Sequence, residues 1–166
     1  GALVDASDDP RVAQVLLEVA IRQKRVAGKN SELRGVSSKL LRELNEGGIP
    51  QPRALGCEQS NTSIVYGTQL IAKLLRRVEE GESVELEALR HIAAYASAAE
   101  VKVPALAGAI ELWRGSKNQS TLMIIQSFVP NRGDAWTYTT DEVQRYFERV
   151  LTQAPAGSPV PPGGVL

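Results

Sequence analysis

The chain has 166 residues, enough for one compact domain or a small domain with an appendage. Basic and acidic residues number 19 each and 43% of residues are hydrophobic, so a core is available and nothing suggests nucleic acid or an anionic membrane surface as a partner. A lone cysteine, Cys57, excludes an internal disulfide framework; with no membrane-length apolar run and no secretion-type N-terminus, a cytoplasmic location is expected.

Asp5 to Asp9 is acidic and stands before Pro10, a combination that opens a helix with acids at the positive end of its dipole. Val12, Val15, Leu16, Val19 and Ala20 recur at helical spacing, and this helix is expected to fade between Arg25 and Gly28. Ser31 to Val36 reads as a short strand. Ser37 or Ser38 can cap a short helix from Lys39 to Asn45, stopped by Gly47-Gly48. Pro50 and Pro52 mark a break before an extended segment from Pro52 to Leu55. The polar cluster Glu58 to Ser63 reads as a loop leading into a hairpin. The hairpin strands are Ile64 to Tyr66 and Gln69 to Arg76, joined by a two-residue Gly67-Thr68 turn.

Ser83 can cap a helix running from Val84 to about Ala98, with Glu85 in its first turn. Ala105 to Trp113 and Ser120 to Val129 form a second antiparallel pair, and the apolar Leu122-Met123-Ile124-Ile125 is expected in a central strand. Asn131 to Tyr138 reads as a turn-rich loop, followed by a capping box, Thr139-Thr140-Asp141-Glu142. That box opens a helix whose Val143, Tyr146, Phe147, Val150 and Leu151 form one stripe. Residues 154–166, rich in Pro, Gly, Ser and Ala, read as a linker or tail. The fold class is α+β: an antiparallel sheet with flanking helices.

Lys73 is the most informative single residue. Strand alternation groups it with Ile71 and Leu75, and a buried ammonium needs a counter-charge. Such a lysine, paired to a helix glutamate, can bind the α/β-phosphates of ATP. By pattern alone, an edge-strand lysine snorkelling to water is the commoner arrangement. Both Glu85 and Glu87 are candidate partners, and helical periodicity does not decide between them. Gln59 to Ser63 supply hydroxyl, amide and backbone donors suited to a phosphate, without the glycines of a phosphate-binding loop. His91 lacks the company of a nucleophile or metal site, and Trp136 with Tyr138 suits either a sugar platform or a loop anchor.

Four segments taken together resemble the amino-terminal part of the bacterial maltokinases, notably those fused behind a trehalose synthase (maltose α-glucosyltransferase) domain. They are GCEQSNTSIVYG (Gly56 to Gly67), LIAKLLRR (Leu70 to Arg77), Glu85-Leu86-Glu87, and FVPNRGDAW (Phe128 to Trp136). The resemblance covers roughly residues 9–152, with Ala72, Leu74 and Ala135 departing from the family pattern. It implies a protein-kinase-like N-lobe preceded by a small α+β cap. Residues 1–55 would be the cap, 56–130 the lobe, 131–153 a post-hinge loop and helix, and 154–166 the tail. Gln59, Ser60, Asn61, Thr62 and Ser63 would cover the ATP phosphates, and Lys73 would hold them, paired with Glu87. Gln126, Phe128 and Val129 would belong to the hinge that receives adenine.

The activity so implied is ATP-dependent phosphorylation of maltose at its anomeric hydroxyl, giving maltose 1-phosphate for α-glucan synthesis. In this fold the base and the Mg²⁺-holding carboxylates come from a carboxy-terminal lobe, as a His-x-Asp loop and a later Asp motif. No such loop is present here, because His91 is followed by Ile92-Ala93. The expectation is an amino-terminal fragment of a sugar kinase, inactive alone and with no catalytic or metal-binding residue of its own. ATP and Mg²⁺ would then act in the full-length enzyme and are not expected bound to the fragment. Its partners would be the missing C-lobe and an upstream trehalose synthase domain, with maltose bound only in the full enzyme. One rival is a non-catalytic interaction or α-glucan-binding module of a larger carbohydrate enzyme, and another is a structural linker domain.

Overall fold

A computed structural model describes residues 6, 9–45, 47–48, 50–57, 61–95, 103–115, 118–131, 133 and 135–153. In chain order the elements are α1 (Pro10–Ile21), β1 (Arg25–Ala27), β2 (Glu32–Ser37), α2 (Lys39–Asn45), β3 (Pro52–Cys57) and β4 (Asn61–Tyr66). There follow β5 (Leu70–Leu75), α3 (Val84–Tyr95), β6 (Leu106–Arg114), β7 (Asn118–Ser127) and α4 (Ala135–Gln153). The strands form one antiparallel sheet, in the order β1-β2-β6-β7-β5-β4-β3. The architecture is therefore α+β. The chain divides into two compact units, residues 1–129 and 130–166, and the sheet belongs to the first.

Helix α1 starts where the side chain of Asp9 accepts a hydrogen bond from the Arg11 amide at 2.8 Å, with Pro10 in the first turn. It stops sooner than its apolar spacing predicts. Gln23 takes a left-handed φ of 48°, and the Lys24 amide bonds back to the Val19 carbonyl at 3.0 Å. That reversal releases residues 25–27 to pair with β2 as a short strand. Helix α1 then lies directly on β2: a Cβ at Gly35 would sit 1.9 Å from the Val19 carbonyl oxygen, so only glycine fits there. Ser38 caps α2 through its hydroxyl, which accepts from the Leu41 amide at 3.4 Å.

The sheet has two unlike faces. On one, α1 and α2 cover the main core, built from Leu17, Ala20, Leu41, Ile64, Tyr66, Leu70, Ile110, Met123 and Ile125. Tyr66 brings a buried phenol into this core; its hydroxyl donates to the Ala13 carbonyl at 2.8 Å, and burial pushes its pKa well above that of a free tyrosine. On the opposite face α3 packs Leu86 and Leu89 on Ala109 and Ile124, with Val36 and Leu106 alongside.

Two strand ends differ from their sequence reading. Strand β4 begins at Asn61, so Asn61, Thr62 and Ser63 are strand residues and not loop; pairing with both β3 and β5 holds them in the sheet. The β4–β5 register pairs Tyr66 with Leu70, which leaves Gly67, Thr68 and Gln69 in a three-residue turn. Gly67 takes φ of 58° there, and the Gln69 amide closes the turn on the Tyr66 carbonyl at 3.3 Å.

In the second unit, α4 begins at Ala135, ahead of the predicted capping box, so Trp136 and Tyr138 are helical residues. Thr139 and Thr140 do not cap. Their hydroxyls donate back to the carbonyls of Ala135 at 2.7 Å and Trp136 at 3.0 Å. No helix among the described residues is long and apolar enough to cross a membrane.

Candidate functional site

Strand β5 lies inside the sheet, flanked by β7 and β4, so Lys73 is not an edge-strand lysine. Alternation sends Leu70, Ala72 and Leu74 to the α1–α2 core and turns Lys73 to the α3 face. The register defines a row of neighbours across that face: Ser63 on β4, Lys73 on β5, Ile124 on β7, Ala109 on β6 and Val36 on β2. Lys73 is the charged member of a row that is otherwise apolar or hydroxyl. Its ammonium reaches α3, where Nζ donates to Glu85 Oε1 at 2.6 Å.

The helix explains the choice of partner. Ser83 caps α3 by accepting from the Leu86 amide at 3.2 Å, and the Ser83 amide is itself held by Thr121 Oγ1 at 3.0 Å. Leu86 and Leu89 form the stripe that meets the sheet. At about 100° per residue, Glu85 stands about 70° to one side of that stripe and Glu87 about 130° away. Glu87 is accordingly exposed, and the pairing of Lys73 with Glu87 implied by the family resemblance gives way to a pairing with Glu85. The two side chains are 31% and 38% exposed, which leaves the ammonium accessible from solvent.

On the other flank of the same stripe stands Arg90, which sequence reasoning missed. Arg90 Nη2 donates to Glu111 Oε1 at 2.7 Å, and Trp113 Nε1 donates to Glu111 Oε2 at 2.9 Å. The Glu111 side chain is only 7% exposed. Arg90 also forms an ion pair with Glu82, in the segment that leads into α3. The face of Trp113 is covered by the Arg34 guanidinium at 4.3 Å, and Arg34 pairs with Glu32 at 2.6 Å. The only trace of this network in the sequence is a charged residue, Glu111, set in the apolar run of β6.

The remaining candidates divide by face. Gln59 and Ser60 lie outside the described residues. Asn61 and Ser63 share the face of Lys73, and both are buried. Asn61 Oδ1 is buried without a hydrogen-bond partner. Thr62 is on the opposite face, paired with Leu74 and fully buried, so its side chain cannot reach a ligand held by Lys73.

Gln126 is a strand residue, buried on the row next to Lys73 and opposite Ile71, because β7 runs on to Ser127. Past the strand, the Phe128 amide already donates to the Gln69 carbonyl at 2.7 Å, while Val129 is exposed. Beside the first turn of α3 opens a cavity of about 290 Å³, lined among others by Leu75, Arg77, Glu82, Ser83 and Thr121. The described residues hold no group of three or more His, Cys, Asp or Glu side chains placed to bind a metal.

Fold and site thus define an α+β unit whose interior strand presents a lysine, paired by a helix glutamate, on its more polar face. No family model matches the chain. Among solved structures it is similar to a glucosamine kinase (crystal form B), with a TM-score of 0.40 and 16% identity over 86% of this chain and 43% of that one. The chain spans less than half the length of that kinase.

Proposed function

We propose that this chain is the phosphate-facing amino-terminal part of a sugar kinase of the maltokinase kind. The carrying observation is the Lys73–Glu85 pair: an ammonium on an interior strand, held extended by a carboxylate from the covering helix, and still open to solvent. A lysine in that setting serves as a point charge for a polyphosphate, and Glu85 keeps it aimed when no anion is present. ATP would supply the phosphoryl group to be transferred. Lys73 and Ser63, adjacent across the β4–β5 pair, are the groups suited to hold its phosphates, with Asn61 two residues along the same face. With the Phe128 amide committed to Gln69, adenine would have to be met by other groups of that segment. No residue of this chain is assigned to Mg²⁺, to a general base or to the sugar. The choice of maltose rests on the four motif segments and not on geometry.

The test uses the full-length parent polypeptide, supplied with ATP, Mg²⁺ and maltose. Formation of maltose 1-phosphate is expected, and Lys73→Ala should lower kcat/KM by about 100-fold or more. Wild-type activity in Lys73→Ala would remove Lys73 from the site. Transfer to a different sugar, with maltose inert, would reject the maltose assignment and keep the kinase one.

A further inference from the structure

We infer that the Glu82–Arg90–Glu111 group is a positioning device that sets the roll of α3, and thereby holds Glu85 against Lys73. Its functional meaning rests on the phosphate-site reading above; its structural claim does not.

The apolar seat of α3 is small. Two leucines, Leu86 and Leu89, meet Ala109 and Ile124, with Val36 and Leu106 alongside, and so few contacts give little resistance to rotation about the helix axis. The polar contacts sit on the flanks. Glu85 binds the sheet on one side of the leucine stripe and Arg90 binds it about 70° to the other side, so a roll in either direction breaks one of the two.

The Arg90 side is the firmer anchor. Glu111 is nearly buried, and both of its oxygens are engaged, one by Arg90 and one by the Trp113 indole, so the carboxylate cannot swing. Losing Arg90 would leave that buried carboxylate without its counter-charge, which strongly favours the closed contact. The Lys73–Glu85 pair, by contrast, is about one-third exposed on both sides and is weak by itself. The weak pair is therefore held in register by the strong one. Arg34 stacked on Trp113 extends the same support to β2, three strands from Lys73 in the sheet.

The test reads Lys73 directly, without nucleotide, by its rate of acetylation in the intact 166-residue chain, followed by peptide mass spectrometry. An ammonium engaged by a carboxylate reacts more slowly than a free one, so Glu85→Gln sets the rate of a released Lys73. Glu111→Gln is expected to raise the Lys73 rate about threefold to fivefold, towards that of Glu85→Gln, while Lys24 and Lys39 keep theirs. In the Glu85→Gln background, Glu111→Gln should add nothing. Arg90→Lys keeps the charge but cannot bridge Glu82 and Glu111 as a guanidinium does, and should give a smaller rise. An unchanged Lys73 rate in folded Glu111→Gln overturns the inference. So does an equal rise at all three lysines, which would show general loosening. Should Glu111→Gln fail to fold, Arg90→Lys is judged by the same two criteria. Kinase activity plays no part in this assay, so its failure and the failure of the phosphate-site reading are separable.

Discussion

The two faces of one sheet are organised by different physics. The α1–α2 face is apolar and dense: Leu17, Leu41, Ile64, Tyr66, Met123 and Ile125 are at or near zero exposure, and the single phenol among them has its hydroxyl satisfied. The α3 face has one small apolar seat, and its specificity comes from charged contacts at 85 and 90. Dense apolar packing supplies stability and is non-directional, whereas a part-exposed ion pair such as Lys73–Glu85 supplies little stability and much direction. The contrast teaches where a chain can place a site. A lysine on the dense face would be expelled or destabilising; on the sparse face it can be aimed and still meet solvent.

The largest expected effect tests the dense face. Gly35→Ala places a methyl group 1.9 Å from the Val19 carbonyl oxygen, so α1 must lift from β2. A loss of about 3 kcal/mol or more, or no folded protein, is expected in urea denaturation. A cost below about 1 kcal/mol would mean that α1 does not sit in close contact with the sheet at Gly35.

Truncation then compares the faces like for like. Leu17 and Leu86 are both fully buried. Leu17→Ala should cost about 3–4 kcal/mol and Leu86→Ala about 2, because the lightly seated α3 can settle into the space left behind. Equal costs would erase the distinction between the faces.

Tyr66→Phe removes the bond to Ala13 and should cost about 1 kcal/mol at neutral pH. Its pH dependence has a definite sign. Burial raises the folded-state pKa above the free value of about 10, so the folded state holds the proton more tightly. The stability so gained is complete below about pH 10 and is lost above it, by up to about 1.4 kcal/mol per pH unit. Tyr66→Phe lacks that slope. The wild-type advantage should therefore shrink between pH 9 and pH 11, and a constant difference over that interval would contradict burial of the phenol.

The smallest effect belongs to the sparse face. Lys73→Met, Glu85→Gln and the double variant should give a coupling below about 1 kcal/mol in a thermal-denaturation cycle, as befits a pair about one-third exposed. A coupling of several kcal/mol would make the pair a structural element and blur the contrast between the faces.

Much of the chain's organisation is legible in residue order. Pro10 after Asp9, Ser38 and Ser83 set the starts of α1, α2 and α3, because a cap is a local bond between neighbours. The apolar run from Leu122 to Ile125 falls on β7, which lies between β5 and β6 as a central strand should. Where a local signal competes with a longer-range partner, it loses. The polar Asn61-Thr62-Ser63 reads as loop, yet pairing on both sides makes it strand. The Thr139–Glu142 box loses instead to an equally local alternative: the helix already runs from Ala135, and the threonine hydroxyls donate to carbonyls one turn earlier.

By itself, then, the sequence determined most of the element types, most helix starts and the α+β class, and it singled out Lys73, since all of these depend on spacing and on bonds between near neighbours. Only the tertiary structure decided that Lys73 is interior to the sheet, that Thr62 turns away from it, that Glu85 and not Glu87 meets it, and that Arg90 and Glu111 hold the helix that brings Glu85 there. Lys73 and Glu85 are 12 residues apart, and Arg90 and Glu111 are 21 apart. Contacts at such separations are fixed by strand order and by the roll of a helix on its seat, which residue spacing along one element does not encode.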